Sequence, residues 1–171
     1  MINKLLRFYR KTFWSQERYG RYLGVAIGEN CSISTNKFGS EPYLIKIGNN
    51  VQITNDVVFS THGACWVFRD KYPTMDVFGK IQIKNNVYIG NGAMILPGVI
   101  IGSNVVIGAG SVVTKSIKDF SIVAGNPAKV IGDIRDLEYK MKNLDLKSKG
   151  MTYNEKRDFL STLEEDKFIR K

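Results

Sequence analysis

Residues 81–114 read IQIKNNVYIGNGAMILPGVIIGSNVVIGAGSVVT, and an aliphatic side chain returns at every sixth position of this stretch. These positions are Ile83, Ile89, Ile95, Ile101, Ile107 and Val113. A second small or branched residue follows each after four places, at Val87, Ala93, Val99, Val105, Ser111 and Ile117. A period of six matches neither an amphipathic helix, with a period of about 3.6, nor an uninterrupted strand. The pattern therefore predicts short strands separated by sharp turns.

Glycine and asparagine occupy the turns between these strands, because both accept a positive φ at low cost. The turn pairs are Asn49-Asn50, Asn85-Asn86, Asn91-Gly92, Ser103-Asn104 and Ala109-Gly110. Three units of six make a coil of about eighteen residues, so residues eighteen apart should stack. Ile83 then lies against Ile101, and Ile89 against Ile107. The same phase occurs earlier at Ile27, Ile33, Ile47 and Ile53, so we predict an all-β domain over residues 25–132.

These repeats resemble the hexapeptide-repeat acyltransferases. The resemblance rests on the units themselves, on IGAGSVVTK at residues 107–115 and on AGNPAK at residues 124–129. It implies a left-handed parallel β-helix, a homotrimer with active sites between neighbouring copies, and acetyl transfer from acetyl-CoA without a catalytic metal. An ordinary β-sandwich with evenly spaced turns is the less favoured alternative.

Two segments interrupt the repeat. The interval from Ile33 to Ile47 is longer than two units, which indicates a small excursion near residues 37–43. Residues 60–80 lack the repeat spacing altogether, and we predict an extruded loop there. Long ordered loops on a rigid scaffold usually carry function. In the resembled family such a loop covers the active site, and the catalytic histidine stands at its start.

His62 is the only histidine in the chain and stands at the start of this loop. Neutral imidazole can accept a proton near pH 7, so a histidine can activate a hydroxyl group for attack on a thioester. We predict that His62 is the general base. The loop residues Asp70 and Asp76 are candidates to orient it, and Cys65 raises the alternative of a covalent acyl-cysteine route.

The resemblance also implies the binding residues. Those for the cofactor are Asn91, Gly92, Ala109, Gly110, Thr114, Lys115, Pro127 and Lys129. Backbone N–H groups near Asn91-Gly92 would stabilise the oxyanion, and Lys129 would meet a phosphate group. For the acceptor, the resemblance points to Ser34 and Asn36, and the loop aromatics Trp66 and Tyr72 could stack on a sugar ring.

The net charge of +9 lies mainly at the amino terminus, where residues 1–24 hold six basic residues and one acidic residue. Residues 1–22 predict an amphipathic helix that either packs on the trimer or contacts an anionic membrane surface. Residues 133–171 predict a charged helical tail. No basic stripe with interleaved aromatics suggests nucleic acid, and no apolar stretch is long enough to span a membrane. With two cysteines, we expect a cytoplasmic chain, at most touching the inner membrane face.

Together these features predict an O-acetyltransferase acting on a saccharide hydroxyl. The loop sequence HGACWVFRD resembles that of bacterial enzymes that modify surface polysaccharides. Alternatives are an N-acetyltransferase of an amino sugar, an enzyme acting on serine or an antibiotic, and a non-catalytic β-helix module for assembly. A carbonic anhydrase of the same fold would need several histidine ligands for zinc, and the chain has one histidine.

Overall fold

A computed structural model describes residues 2–169, with residues 2–4 and 7 described by their backbone alone. Contacts divide the chain into two compact units, one up to Ile134 and one from Arg135. The first unit contains the amino-terminal arm together with the β-strands. The strands are β1 (Ala26–Ile27), β2 (Ser32–Ile33), β3 (Ile45–Ile47), β4 (Val51–Ile53), β5 (Val58–Phe59), β6 (Ile81–Ile83), β7 (Val87–Ile89), β8 (Met94–Ile95), β9 (Ile100–Ile101), β10 (Val105–Ile107), β11 (Val112–Val113), β12 (Ser121–Ala124) and β13 (Lys129–Asp133).

Three parallel sheets form the sides of the β-helix. The first sheet has the order β1-β3-β6-β9, the second β13-β12-β10-β7-β4-β2, and the third β11-β8-β5. The predicted stacking is confirmed, since Ile83 pairs with Ile101, Ile89 with Ile107 and Ile95 with Val113. Strand β13 departs from the repeat because it turns back antiparallel to β12 and closes the last coil.

The core is the column of side chains that point inward from all three sheets. Ile53, Ile89, Ile95, Ile101 and Ile107 are fully buried. Alternate residues of each strand face outward, as a pleated strand requires. Coils approach so closely at some turns that only glycine fits: a Cβ on Gly48 would lie 2.6 Å from the Lys84 carbonyl oxygen. Repeat spacing and turn chemistry therefore determine this part of the fold together.

The amino-terminal arm forms two helices, α1 (Ile2–Phe13) and α2 (Gln16–Leu23), so the prediction of one helix over residues 1–22 is wrong in its detail. Ser15 separates them with a non-helical ψ of 147°, and its side chain accepts a hydrogen bond from the Arg18 N–H. Such an N-cap begins a new helix and ends the previous one. Residue 1 lies outside the described residues. Helix α2 packs on β1 and β2, at the start of the β-helix.

The second unit contains the charged tail. Helix α3 (Ile134–Asn143) leads into it, and α4 (Tyr153–Ser161) follows. Thr152 and Glu155 form a capping box, as their spacing predicts. Helix α4 ends at Ser161, and a 3-10 turn at Glu165–Lys167 follows it separately. Within residues 2–169, no helix combines the length and apolarity needed to cross a membrane.

Candidate active site

The predicted site residues lie along two edges of the third sheet. Edge A is where the chain passes from the second sheet to the third, and it comprises residues 34–36, 54–57, 90–93 and 108–111. Backbone bonds stack these turns: Gly92 N–H donates to the Asn55 carbonyl and Gly110 N–H donates to the Asn91 carbonyl. Edge B is where the chain leaves the third sheet, and it comprises residues 60–62, 96–98 and 114–116. Hydrogen bonds from Ser60 N–H to the Ile95 carbonyl and from Leu96 N–H to the Val113 carbonyl align successive coils at edge B.

Four of the eight predicted cofactor residues lie at edge A, two lie at edge B, and Pro127 and Lys129 follow β12 at the last coil. Asn91, Gly92, Ala109 and Gly110 form exposed turns of edge A, together with the acceptor candidates Ser34 and Asn36. Lys129 pairs with Ala124 at the end of β12, directly after the exposed Pro127. Thr114 and Lys115 lie at edge B, as His62 does, but two coils further along the β-helix. The structure therefore separates the predicted site residues into two groups.

The distance between the two groups follows from the width of the third sheet. Gly92 at edge A and Pro97 at edge B are joined by one short strand, β8. At ~3.3 Å per residue these five steps span at most about 16 Å. Within one copy of the chain, His62 and the Asn91-Gly92 turn therefore lie at opposite edges of the third sheet.

Two backbone amides are already occupied. The sequence suggested the amides near Asn91-Gly92 as oxyanion donors, but Gly92 N–H donates to Asn55 over 3.0 Å. Likewise, Gly110 N–H donates to Asn91 over 2.8 Å, so it is not an exposed amide for the cofactor. Both glycines have φ +68°, and a Cβ on either would meet no atom within 4 Å. Because neither residue carries a side chain, both leave the surface of edge A open to a ligand. This role does not involve their N–H groups.

His62 lies at the base of the loop over residues 60–80. It bridges to Phe78 on the returning strand, and Gly63 N–H donates to the Val77 carbonyl, so the base is a short antiparallel ladder. The His62 side chain is 47% exposed. Its Nδ1 lies 3.2 Å from Glu41 Oε2. The ring is thus tethered through one nitrogen and exposed to solvent.

The acidic residue that contacts His62 is Glu41, and not Asp70 or Asp76 as the sequence suggested. Asp76 instead accepts a hydrogen bond from the adjacent Val77 N–H, and Asp70 is exposed. Thr61 Oγ1 donates to Glu41 Oε2 over 2.6 Å. This hydrogen bond is the main reason that the pKa of Glu41 lies below its ordinary value, and the His62 contact adds to the effect against partial desolvation. The carboxylate is therefore ionised at neutral pH.

The other loop predictions have mixed outcomes. Trp66 is 83% exposed and Tyr72 is exposed as well, so both are accessible to a ligand or to another copy. Cys65 is 6% exposed within the 3-10 turn Cys65–Phe68, and this burial disfavours the acyl-cysteine route. Within residues 2–169, no group of three or more His, Cys, Asp or Glu side chains could hold a metal ion.

Comparison with known proteins agrees with this architecture. Residues 80–115 match the family model described as bacterial transferase hexapeptide (six repeats). The chain is 54% identical over 145 residues to Protein CapG of Staphylococcus aureus, covering 82% of this chain and 84% of CapG. The chain belongs to the bacterial hexapeptide-repeat transferases.

Other hexapeptide-repeat transferases are similar over much of their length. Galactoside O-acetyltransferase of Escherichia coli strain K12 is 39% identical over 127 residues, covering 72% of this chain and 62% of that enzyme. A solved structure of galactoside acetyltransferase in complex with coenzyme A superposes with a TM-score of 0.58 at 29% identity, covering 80% of each chain. The fold is the left-handed parallel β-helix of this family, as the resemblance implied.

Proposed function

We propose that the protein is an acetyl-CoA-dependent O-acetyltransferase that acts on a saccharide hydroxyl, with His62 as the general base. The observation that carries the proposal is the position of His62 at a loop base, with one ring nitrogen held by Glu41 and the ring open to solvent. The similarity to galactoside O-acetyltransferase supports the reaction type. The loop HGACWVFRD resembles that of bacterial enzymes that modify surface polysaccharides, and this resemblance supports a saccharide as the acceptor.

The reaction is a direct transfer between two substrates. Acetyl-CoA supplies the acetyl group as a thioester. His62 Nε2 takes the proton of the acceptor hydroxyl as its oxygen forms a bond to the acetyl carbonyl carbon. The bond between carbon and sulfur then breaks, and the protonated imidazole returns its proton to the leaving thiolate. The products are the O-acetylated acceptor and free coenzyme A, and His62 is neutral again.

The donor fits along edge A and the adjoining end of the β-helix. Gly92 and Gly110 leave the edge open, which suits a long, narrow pantetheine arm. A cavity of about 370 Å³ lies at the last coil, lined among others by Lys115, Ala128 and Val130. Lys115 and Lys129 would contact the phosphates, and Pro127 would pack on the adenine. Thr114 of edge B would lie beside the pantetheine arm bound along edge A of a neighbouring copy.

A homotrimer would bring the two edges together. The outward residues of the third sheet are Val58, Met94 and Val112, so this sheet faces outward with apolar side chains. Several loop side chains beside it, including Trp66, are exposed and apolar as well. Apolar surface of this kind marks an interface. Three copies arranged with this sheet toward a threefold axis would place edge A of one copy beside edge B of the next.

A mixing experiment tests whether the site is shared between copies. His62→Ala inactivates edge B only, and Ala109→Trp obstructs edge A only. Trimers assembled from both variants contain some sites with an intact edge from each chain, so activity should recover to a substantial fraction of wild type. No recovery in verified mixed trimers would mean that each site lies within one chain.

The contact of α1 with a membrane is a further part of the proposal. Its sequence holds Lys4, Arg7, Arg10 and Lys11 without an acidic residue, and its apolar side chains Leu5, Tyr9 and Phe13 are exposed. Basic amphipathic helices bind anionic lipid surfaces. The full chain should sediment with anionic vesicles and not with zwitterionic ones, and a chain without residues 1–13 should lose this binding. Equal sedimentation of both chains would contradict the contact.

The function itself is tested by replacing His62. His62→Ala should lower thiol release from acetyl-CoA by about 10²–10⁴-fold, while calorimetry shows unchanged coenzyme A binding. Glu29→Gln, an exposed turn variant, is the control. Activity of His62→Ala within about tenfold of wild type would contradict the proposal. Saccharides, amino sugars, serine and antibiotics are compared as acceptors, and lack of coenzyme A binding by the wild type would favour an assembly module.

A further inference from the structure

The excursion before β3 reaches across to the base of the loop that carries His62. Glu41 lies in this excursion, directly before the 3-10 turn Pro42–Leu44. Its Oε2 atom accepts from Thr61 Oγ1 and lies 3.2 Å from His62 Nδ1. The two interruptions of the repeat, which occur in neighbouring coils, therefore meet at one carboxylate oxygen.

We propose that Glu41, held in place by Thr61, keeps the ring proton of His62 on Nδ1 and so leaves Nε2 free to accept a proton. The inference rests on the proposed function, because it assigns Nε2 as the basic atom. Glu41 does not touch a substrate in this proposal, so it is a positioning residue.

The chemistry of the contact supports this assignment. An ionised carboxylate can only accept hydrogen bonds, so a neutral histidine that bonds to it must carry its hydrogen on Nδ1. The bond made by one ring nitrogen determines which tautomer is present. Thr61 is fully buried and points its hydroxyl at the same oxygen. The side chain of Glu41 is 16% exposed, so the tethered side of the ring is shielded while the ring itself is open.

The backbone around Glu41 is built for this approach. Gly39 has φ +69°, and a Cβ there would lie 2.9 Å from the Phe59 carbonyl oxygen and 3.2 Å from Thr61 Oγ1. Phe38 next to it is buried and stacks on Phe59 at a centroid distance of 5.9 Å. These contacts hold the excursion against the start of the loop. Glu41 is therefore presented to His62 by buried packing and by a close backbone approach.

The single histidine permits a direct test by nuclear magnetic resonance. Protein labelled with ¹⁵N-histidine gives signals from one imidazole ring, His62. In the wild type at about pH 8.5, where imidazole is neutral, Nδ1 should show the shift of a protonated nitrogen and Nε2 that of an unprotonated one. Glu41→Gln and Glu41→Ala should shift the ring toward the other tautomer or a mixture. The control Glu29→Gln should leave the spectrum unchanged.

Kinetics of the same variants separate positioning from simple folding support. Glu41→Gln should lower kcat by about 10²-fold and change the KM for acetyl-CoA by less than about threefold. Thr61→Ser keeps the hydroxyl and should stay near wild type, whereas Thr61→Val should lose part of the activity. Circular dichroism confirms that each variant is folded.

Two outcomes would overturn the inference. One is a wild-type ring protonated on Nε2, and the other is a Glu41→Ala variant whose tautomer and kcat are unchanged. A ring protonated on Nε2 would also require a basic atom other than Nε2, but neither outcome contradicts acetyl transfer with His62 as the general base, because the tautomer is read without acetyl transfer. Conversely, a fully active His62→Ala variant would contradict the proposed function whatever the tautomer is.

Discussion

The asparagine turns and the base of the loop are both built from polar side chains joined by hydrogen bonds, yet they differ in one respect. Asn30, Asn50, Asn86 and Asn104 each bond to the next through Nδ2 and Oδ1, at 2.8–3.0 Å, on successive coils. The contacts among Glu41, Thr61 and His62 occur once. The repeated contacts align the coils, and the side chains that make them are engaged in these hydrogen bonds. Proton transfer is expected where the repeat is interrupted and a side chain remains free to act.

The largest effect expected in the regular part is a loss of stability. Ile83→Ala removes a fully buried side chain that stacks on Ile47 and Ile101, and it should lower the free energy of unfolding by about 2–5 kcal/mol. Gln82→Ala on the same strand points outward and should change it by less than about 0.5 kcal/mol. Urea unfolding at one chain concentration measures both. Equal losses would mean that inward and outward positions do not differ as described.

The loop should show the opposite balance between activity and stability. Its base is closed by bonds between Gly63 and Val77 and between Gly79 and Thr61, so residues 64–76 can be replaced by a two-residue Asn-Gly turn. We expect acetyl transfer to fall by at least about 10²-fold and unfolding free energy by only about 1–2 kcal/mol. A loop of equal length made of glycine and serine is the control. Full activity with that loop would show that residues 64–76 act only as a spacer.

The sequence predicted the regular part well because a six-residue period leaves few alternatives. Stacking of Ile83 on Ile101 requires only that every turn changes the direction of the chain by the same angle. The paired contact of Glu41 with His62 was not predictable in this way, since it depends on how two irregular segments fold back. The one available signal was that both interruptions of the period occur in neighbouring coils. The antiparallel strand β13 was also missed, because most of its residues are exposed and show no alternation.

The two edges of the third sheet illustrate the same limit. The repeat spacing predicted that Asn91 and Gly110 lie in turns, and both do. It could not show which backbone N–H groups donate to the neighbouring coil. Nor could it show that these turns lie at the opposite edge of the third sheet from His62. The family resemblance implied a homotrimer with active sites between neighbouring copies, but not which edge of one chain holds each residue. A single chain therefore contains both halves of the proposed site but does not join them.

A smaller effect is expected at one rung of the asparagine turns. Asn50 has φ +53° and joins Asn30 to Asn86. Asn50→Ala removes both side-chain bonds and replaces asparagine by a residue that tolerates the left-handed region less well, so it should cost about 1–2 kcal/mol of unfolding free energy. Asn50→Gly keeps the conformation and should cost less. Acetyl transfer should stay unchanged in both, and a loss of activity without a loss of stability would contradict the division between aligning turns and reactive loop.

The smallest effect is a pH dependence of stability that belongs to Glu41. Its pKa in the folded chain lies below the ordinary value of 4.5, first because of the Thr61 hydroxyl and then because of His62. Between these two values the unfolded chain binds more protons, so stability rises with pH there. The contribution is complete above the ordinary value and is lost as pH falls through the lowered one.

Comparison of the wild type with Glu41→Gln isolates this contribution, because glutamine does not titrate. The difference in unfolding free energy between the two should shrink as pH falls below the ordinary value of 4.5 and through the lowered pKa of Glu41. Thr61→Val removes the hydrogen bond that is the main cause of the lowered pKa of Glu41, so the unfolding free energy should then depend less on pH in this acidic range. Parallel curves for the wild type and Glu41→Gln would mean that the carboxylate gains nothing from its partners. The hydrogen bonds of Glu41 with Thr61 and His62 would then add no pH-dependent stability to the folded chain.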